Sequence, residues 1–232
     1  MQPDGKDISK FYDEYSTKQA KVGINIRHRT ILKNMKKEGL KNNSSVLEIG
    51  CGIGTVTQLL SAYCVKGKIL AADISPESIE MAKRLHAKRK NIEFIVSDMS
   101  NFTSPTKFNF ILLPDVLEHI PVDQHKNLFA KLRAVMHKNS VIVINIPSPH
   151  YLIWAKKNIP DQLQIIDQPL NSNELLNNVY ANDLYLHSLN TYSLNCEEGD
   201  YQSIVLKPNN EISFHPKKWM EQAVQNTRSK LF

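Results

Sequence analysis

Nine consecutive residues constrain this chain most: Val46-Leu47-Glu48-Ile49-Gly50-Cys51-Gly52-Ile53-Gly54. A short apolar run runs into three glycines, and residues 55–63 beyond them read as a helix. Glycine serves where a turn is tight or where backbone must approach a ligand closely. A helix that starts just past such a turn presents unpaired N–H groups. A G-x-G-x-x-G nucleotide loop would put its third glycine at position 55, which is Thr55; here the third is Gly54. With the acidic Glu48 ahead of the glycines, the spacing favours a nucleoside-plus-amino-acid ligand over a pyrophosphate.

The pattern continues downstream. Apolar, β-rich runs at 45–49, 68–73, 92–96, 108–113 and 140–146 alternate with helical stretches at 55–63, 76–89 and 122–137. Ser75 before Pro76, with Glu77 in the first turn, is a helix start. Apolar strands separated by helices predict a parallel sheet covered on both faces. After a loop rich in Pro, Asn and Asp (147–173), a helix over 173–181 leads to runs at 184–194 and 201–207. The turn Cys196-Glu197-Glu198-Gly199-Asp200 joins these two as an antiparallel hairpin at the sheet edge. Residues 7–38 read as helical, with Ile24, Ile31, Leu32 and Met35 at helical spacing. The expected organisation is one domain: a helical cap over 1–44, a core over 45–207 and an extension over 208–232. In that extension Trp219, Met220, Val224 and Leu231 form an apolar stripe that packs on the body or makes a homodimer contact.

Composition bounds the partners. Hydrophobic residues at 41% and charged residues at 22% exclude wholesale disorder. The net charge of +6 invites nucleic acid or an anionic membrane, so its distribution matters. Residues 1–45 carry ten Lys/Arg against five Asp/Glu, and 81–90 carry five positives and no acid, whereas 91–206 hold seven positives against twelve acids. No aromatic is interleaved with the basic run at 81–90, which argues against base stacking and nucleic acid. Cys51, Cys64 and Cys196 lack metal-ligand spacing and read as free thiols of a reducing cytoplasm. The N-terminus has no apolar run, and no stretch reaches the ~18 residues of a membrane span. A soluble cytoplasmic protein without a membrane partner is expected.

Two further signals fall at strand ends. Asp73 closes the second run, 19 residues after Gly54, where a carboxylate accepts from both hydroxyls of a ribose; the alternative is a helix-capping Asp before Ser75. Ser97-Asp98-Met99 follows the third run: Asp98 suits the exocyclic amine of adenine, with Met99 or Ile74 against the ring.

Together with Phe108-Asn109-Phe110-Ile111-Leu112-Leu113-Pro114-Asp115-Val116-Leu117-Glu118-His119-Ile120-Pro121, this series resembles the motifs of class I S-adenosylmethionine-dependent methyltransferases over about 45–207. The resemblance implies a Rossmann-like α/β fold: a seven-stranded, mostly parallel sheet with helices on both faces and the last strand antiparallel. It implies S-adenosyl-L-methionine as cofactor, leaving as S-adenosyl-L-homocysteine. Glu48, Gly50, Cys51, Gly52 and Gly54 would form its loop, Asp73 would hold the ribose, and Asp98 and Met99, with Ile74, would lie on the adenine side. Leu113 and Pro114 would lie under the methionine part. In ubiquinone-pathway O-methyltransferases an upstream Arg grips the cofactor carboxylate; Arg27 and Arg29 are both candidates here.

The same resemblance frames the chemistry as an in-line displacement, so holding the nucleophile near the methyl supplies much of the catalysis. For a hydroxyl acceptor, His119 after the fourth strand is the candidate general base, against a role in packing the next helix. Candidate substrate residues are Tyr12, Tyr15, His28, His150, Tyr151 and Trp154, the last two in a lid over 147–173. Some relatives bind a divalent ion through Glu-x-x-Glu-His; this chain has Asp115, Glu118 and His119 there and Asp167-Gln168-Pro169 where a later His is expected, so no metal is expected. Leu113-Pro114-Asp115-Val116 is not the Asn/Asp-Pro-Pro-aromatic tetrapeptide of adenine- or glutamine-nitrogen enzymes. O-methylation of a small molecule is the expectation. N-methylation of a small amine, an RNA or protein acceptor, and a catalytically dead partner subunit are the alternatives.

Overall fold

The computed structural model describes residues 22–164 and 166–210. Tyr12, Tyr15, the first part of the expected cap and the apolar stripe at 219–231 lie outside the described residues. Seven strands form one sheet: β1 (Val46–Ile49), β2 (Ile69–Asp73), β3 (Ile92–Val96), β4 (Phe108–Pro114), β5 (Met136–Pro147), β6 (Leu184–Tyr192) and β7 (Tyr201–Pro208). Their order is β3-β2-β1-β4-β5-β7-β6. Pairs from β3 to β5 are parallel, and β7 runs antiparallel to both β5 and β6. The expected edge hairpin and mostly parallel sheet are therefore present. The last strand is inserted inside the edge strand rather than placed outside it.

Alternation along the strands divides the core into two layers. Leu47, Ile49, Ile111 and Leu113 face one side with Phe129 and Leu132 of α4 (Val122–Ala134) and Leu175 and Val179 of α6 (Ser172–Tyr180). Val46, Phe110 and Leu112 face the other, with Ile31 and Met35 of α1 (Ile26–Lys37), Leu60 of α2 (Thr55–Tyr63) and Ile79 of α3 (Pro76–Leu85). Central strands buried on both faces read as unbroken apolar runs for this reason. Burying each such side chain contributes roughly 1.5–3 kcal/mol.

Local signals account for most boundaries. Ser75 Oγ accepts from Ser78 N at 3.0 Å with Pro76 opening α3, as the sequence predicts. The same Ser-Pro signal at 148–149 starts α5 (Pro149–Asn158), with Ser148 Oγ accepting from Tyr151 N at 3.2 Å, so ten residues of the expected loop form a helix. The helix expected to reach 137 stops at Ala134 because β5 begins at Met136. There Ser140 Oγ donates to Phe108 O at 2.6 Å and accepts from His137 N at 2.7 Å, tying an irregular segment to β4.

The chain builds outward from β1 to β3, then returns to place β4 on β1's other side. Ligands of open α/β sheets bind at such a reversal, beyond the carboxyl ends of the strands.

Candidate active site

A cavity of about 800 Å³ opens beyond the carboxyl ends of β1 to β4. This is the size of a small-ligand pocket. Gly50 has φ +72°, and a Cβ there would lie 2.1 Å from Val116 Cγ2. Gly54, at φ +85°, caps α2 without a side chain, so the first-turn amides of α2 stand open beside Thr55 and Val56 on the cavity wall.

Glu48 is fully buried; its Oε2 accepts from Thr57 Oγ1 at 2.6 Å, while Oε1 has no hydrogen-bond partner among the described residues. Burial pushes this carboxyl up to about 8, against the Thr57 hydrogen bond and with help from Asp73. Asp73 ties down the helix start and also reaches the cavity. Its Oδ1 accepts from Ser75 N at 2.9 Å, its Oδ2 accepts from Gly52 N at 2.7 Å, and the residue lines the cavity. Carboxylate oxygens each retain a second acceptor site.

Across the floor, Met99 holds φ +64° and is 2% exposed, with Ile74 also on the wall. Asp98 is exposed; its Oδ1 accepts from Ser100 N and Ser100 Oγ. Cys51, Gly52 and Pro114 line the cavity too, whereas Leu113 is buried in the apolar core under the sheet.

A second cavity of about 410 Å³ adjoins the first, and Arg27, Asp115, His119 and Gln164 line both. Asp115 leaves the end of β4 at φ +54°, its N–H donating to Asn145 O at 2.7 Å. Arg27 Nη1 lies 3.1 Å from Asp115 Oδ2 and donates to Tyr201 Oη at 3.2 Å. Burial raises the Asp115 carboxyl and the Arg27 guanidinium opposes it. His119 closes a 3₁₀ turn (Leu117–His119). Its Nδ1 meets the Ile166 carbonyl and lies 3.2 Å from Asp167 Oδ1. Two acceptors at Nδ1 keep the ring proton there, so Nε2 carries the lone pair in the neutral imidazole.

Glu118 is 1% exposed, and neither of its oxygens has a hydrogen-bond partner among the described residues; Oε1 is 3.7 Å from His119 Nε2. Burial raises this carboxyl well above the usual range, and Asp115 adds to the effect.

Of the two arginine candidates, Arg27 reaches the cavities and Arg29 is exposed outside them. His28 lines the first cavity but is built into the start of α1: its N–H donates to Asn25 Oδ1 at 3.3 Å and its Nδ1 accepts from Asn25 N at 3.1 Å. Burial, with Arg27 beside it, lowers its pKa to about 4. Tyr151 lines the second cavity, with Trp154 at a ring distance of 6.0 Å but half exposed and off the wall, as is the exposed His150. Gly54 shapes the loop without lining the cavity.

Sequence reasoning missed Tyr201, Gln164 and the bond from His119 to Asp167. The first comes from β7 pairing Tyr201 with Pro147, a register with no local signal. Asp115, Glu118, His119 and Asp167 gather at the second cavity, yet among the described residues no three metal-ligating side chains are poised to hold an ion.

Residues 46–139 match a family described as a methyltransferase domain. Among curated proteins, the malonyl-[acyl-carrier protein] O-methyltransferase 1 of Ilyobacter polytropus is 29% identical over 128 residues, 55% of this chain and 44% of that protein. The fibrillarin-like rRNA/tRNA 2'-O-methyltransferase of Thermoplasma volcanium is 25% identical over 67% of this chain and 65% of its own length. The chain thus spans less than two thirds of these relatives. The magnesium protoporphyrin IX methyltransferase of Synechocystis, solved with S-adenosylhomocysteine bound, superposes with a TM-score of 0.68 over 88% of this chain and 100% of that one, at 13% identity. The glycine loop, the strand-end acids and the sheet agree with these likenesses: residues 46–139 match the methyltransferase domain, and the sheet has the fold of the solved S-adenosylmethionine-dependent methyltransferases.

Proposed function

We propose that this chain transfers a methyl group from S-adenosylmethionine to a small organic acceptor seated in the second cavity. The observation that carries the reading is the junction of the two cavities at Arg27, Asp115 and His119. The first cavity fits the cofactor on this chain's own terms. Asp73 retains acceptor sites for ribose hydroxyls, Asp98 suits an exocyclic amine, and Met99 and Ile74 offer apolar wall. Glu48 Oε1, buried without a donor, suits a cationic or N–H group of the amino-acid part. When bound, the cofactor supplies a methyl group on positively charged sulfur.

The protein's own work is to hold the acceptor atom against that group. For a hydroxyl acceptor a proton must leave, and His119 Nε2 is the base for it, with Asp167 fixing the ring and stabilising the imidazolium. Asp115, steadied by Arg27 and Tyr201, forms the wall between the two cavities. Exclusion of water falls to the segment from α5 to Asp167, which the Ile166 carbonyl and Gln168 N tie onto the 3₁₀ turn at 117–119.

Calorimetry with S-adenosylhomocysteine, followed by transfer of labelled methyl from S-adenosylmethionine into a metabolite extract and into total RNA, tests the reading. Binding together with label in the small-molecule fraction is expected. Absent binding removes the cofactor assignment, and label confined to RNA transfers the acceptor assignment to nucleic acid.

A further inference from the structure

The second cavity has a charge problem that the fold alone does not solve. Four carboxylates line it, those of Asp115, Glu118, Asp161 and Asp167, against the single guanidinium of Arg27 and the imidazole of His119. Two of the four are matched internally. Asp115 meets Arg27 at 3.1 Å, and Asp167 lies 3.2 Å from His119 Nδ1 and accepts from Gln164 N at 2.6 Å. Asp161 sits exposed at the rim, where water solvates it.

Glu118 has no such side-chain partner. It is 1% exposed, and among the described residues no other side chain donates a hydrogen bond to either carboxylate oxygen. Its immediate neighbour is His119 Nε2 at 3.7 Å from Oε1, a distance beyond hydrogen bonding. An ionised carboxylate buried without side-chain donors is strongly unfavourable, so burial favours the protonated form of Glu118 until a cation or an N–H donor is supplied. A lining group of this kind is matched when a ligand brings the missing charge.

We propose that the methyl acceptor carries a protonated amine or comparable organic cation, and that Glu118 at the base of the second cavity is the residue that selects it. This rests on the methyltransferase reading of the two cavities. An ammonium group brings N–H donors for the orphaned oxygens and a positive charge that favours the ionised over the protonated form of this carboxyl. Tyr151 and Tyr201 line the same cavity, and aromatic rings attract organic cations. Asp161 at the mouth attracts the same charge inward, while an acceptor bearing a carboxylate or phosphate meets repulsion from every unmatched group. Arg27 does not reverse this selection, because Asp115 already occupies it.

Three probes of one scaffold test the proposal: tyramine, 4-ethylphenol and 3-(4-hydroxyphenyl)propionate, which end in an ammonium, a methyl and a carboxylate. Each is titrated into the chain saturated with S-adenosylhomocysteine, with and without magnesium, for the native protein and for Glu118→Gln. Tyramine is expected to bind about tenfold or more tighter than 4-ethylphenol, the ~1.4 kcal/mol that a tenfold ratio represents. The propionate is expected to be the weakest. Glu118→Gln should erase the preference for tyramine while retaining S-adenosylhomocysteine binding.

Equal binding of the three probes, preference for the propionate, absence of tyramine binding, or a preference unchanged in Glu118→Gln overturns the proposal. So does magnesium binding at the cluster that displaces tyramine, since a metal ion would then be Glu118's partner. Failure of the native chain to bind S-adenosylhomocysteine is a different result: it strikes the cofactor reading itself.

Discussion

The two cavities are built by different means. The wall of the first is built largely at strand ends: Glu48 on β1 with Gly50 and Gly52 just past it, Asp73 closing β2, and Asp98 and Met99 after β3. The second is assembled from pieces distant in sequence: Arg27 at the start of α1, Glu118 and His119 after β4, Asp161 to Asp167 beyond α5, and Tyr201 on β7. The first is a property of the parallel sheet and changes little while that sheet exists. The second depends on how one connecting segment lies across it, through His119 to Ile166 and Asp167 and through Gln168 N to Glu118 O at 3.1 Å. On the proposed reading, a cofactor site set by the sheet lies beside an acceptor site set by one connection, the arrangement that lets one fold serve many substrates.

Substitutions can break this division. The largest effect is expected at His119. His119→Ala should lower kcat toward a hydroxyl acceptor by about 10²–10⁴-fold, the range for a positioned general base. It should change the S-adenosylhomocysteine dissociation constant far less. Equal losses in turnover and in binding would mean that the two cavities are not separable at this residue.

Asp73→Ala comes next. It removes the acceptors of Gly52 N and Ser75 N as well as the ribose partner. A loss of about 2–3 kcal/mol, or roughly 100-fold in S-adenosylhomocysteine affinity by calorimetry, is expected for a charged hydrogen-bonding group. Unchanged affinity would remove Asp73 from the site.

Two smaller effects lie within the first cavity and have opposite signs. Glu48 titrates near 8 in the fold against an ordinary 4.5, so the folded chain keeps a proton that the unfolded chain releases. Its contribution to stability is complete below about 4.5 and is lost as pH rises to about 8. Glu48→Gln should flatten that slope by an amount on the order of a few kcal/mol in pH-dependent thermal melts. A slope identical to the native one would show that some other group carries it.

His28 runs the other way. Its folded value of about 4 lies below 6.5, so the unfolded chain binds the extra proton and stability is lost as pH falls from about 6.5 to about 4. His28→Gln should reduce the fall in melting temperature across that window. The two windows overlap between about 4.5 and 6.5, so in the native protein each masks part of the other.

The legibility of the sequence followed the same division. Val46 to Gly54, Asp73 and Ser97 to Met99 were readable because strand, turn and helix start are adjacent in the chain and each leaves a local mark. Ser75-Pro76 marks a helix start between two clear apolar patterns, whereas the same pair at Ser148-Pro149 opens a helix inside a segment whose Pro, Asn and Asp content has the composition of a loop. Arg27 and Arg29 could not be told apart until helical phase turned one toward Asp115 and the other toward solvent. Asp167 stood out in the sequence only as the absence of a histidine, and its bond to His119 depends on the fold of 159–168.

The sequence alone determined that this chain forms a mostly parallel sheet with a ligand loop after its first strand. That information lies in hydrophobic period, glycine placement and helix caps, all of them interactions within about ten residues. Tertiary structure decided which arginine enters the site, that His119 is oriented by Asp167, and that Glu118 lies buried without a donor facing the second cavity. Those outcomes depend on contacts between segments far apart in the chain, such as His119 with Ile166, 47 residues on, and Arg27 with Tyr201, 174 residues on, which only packing brings together.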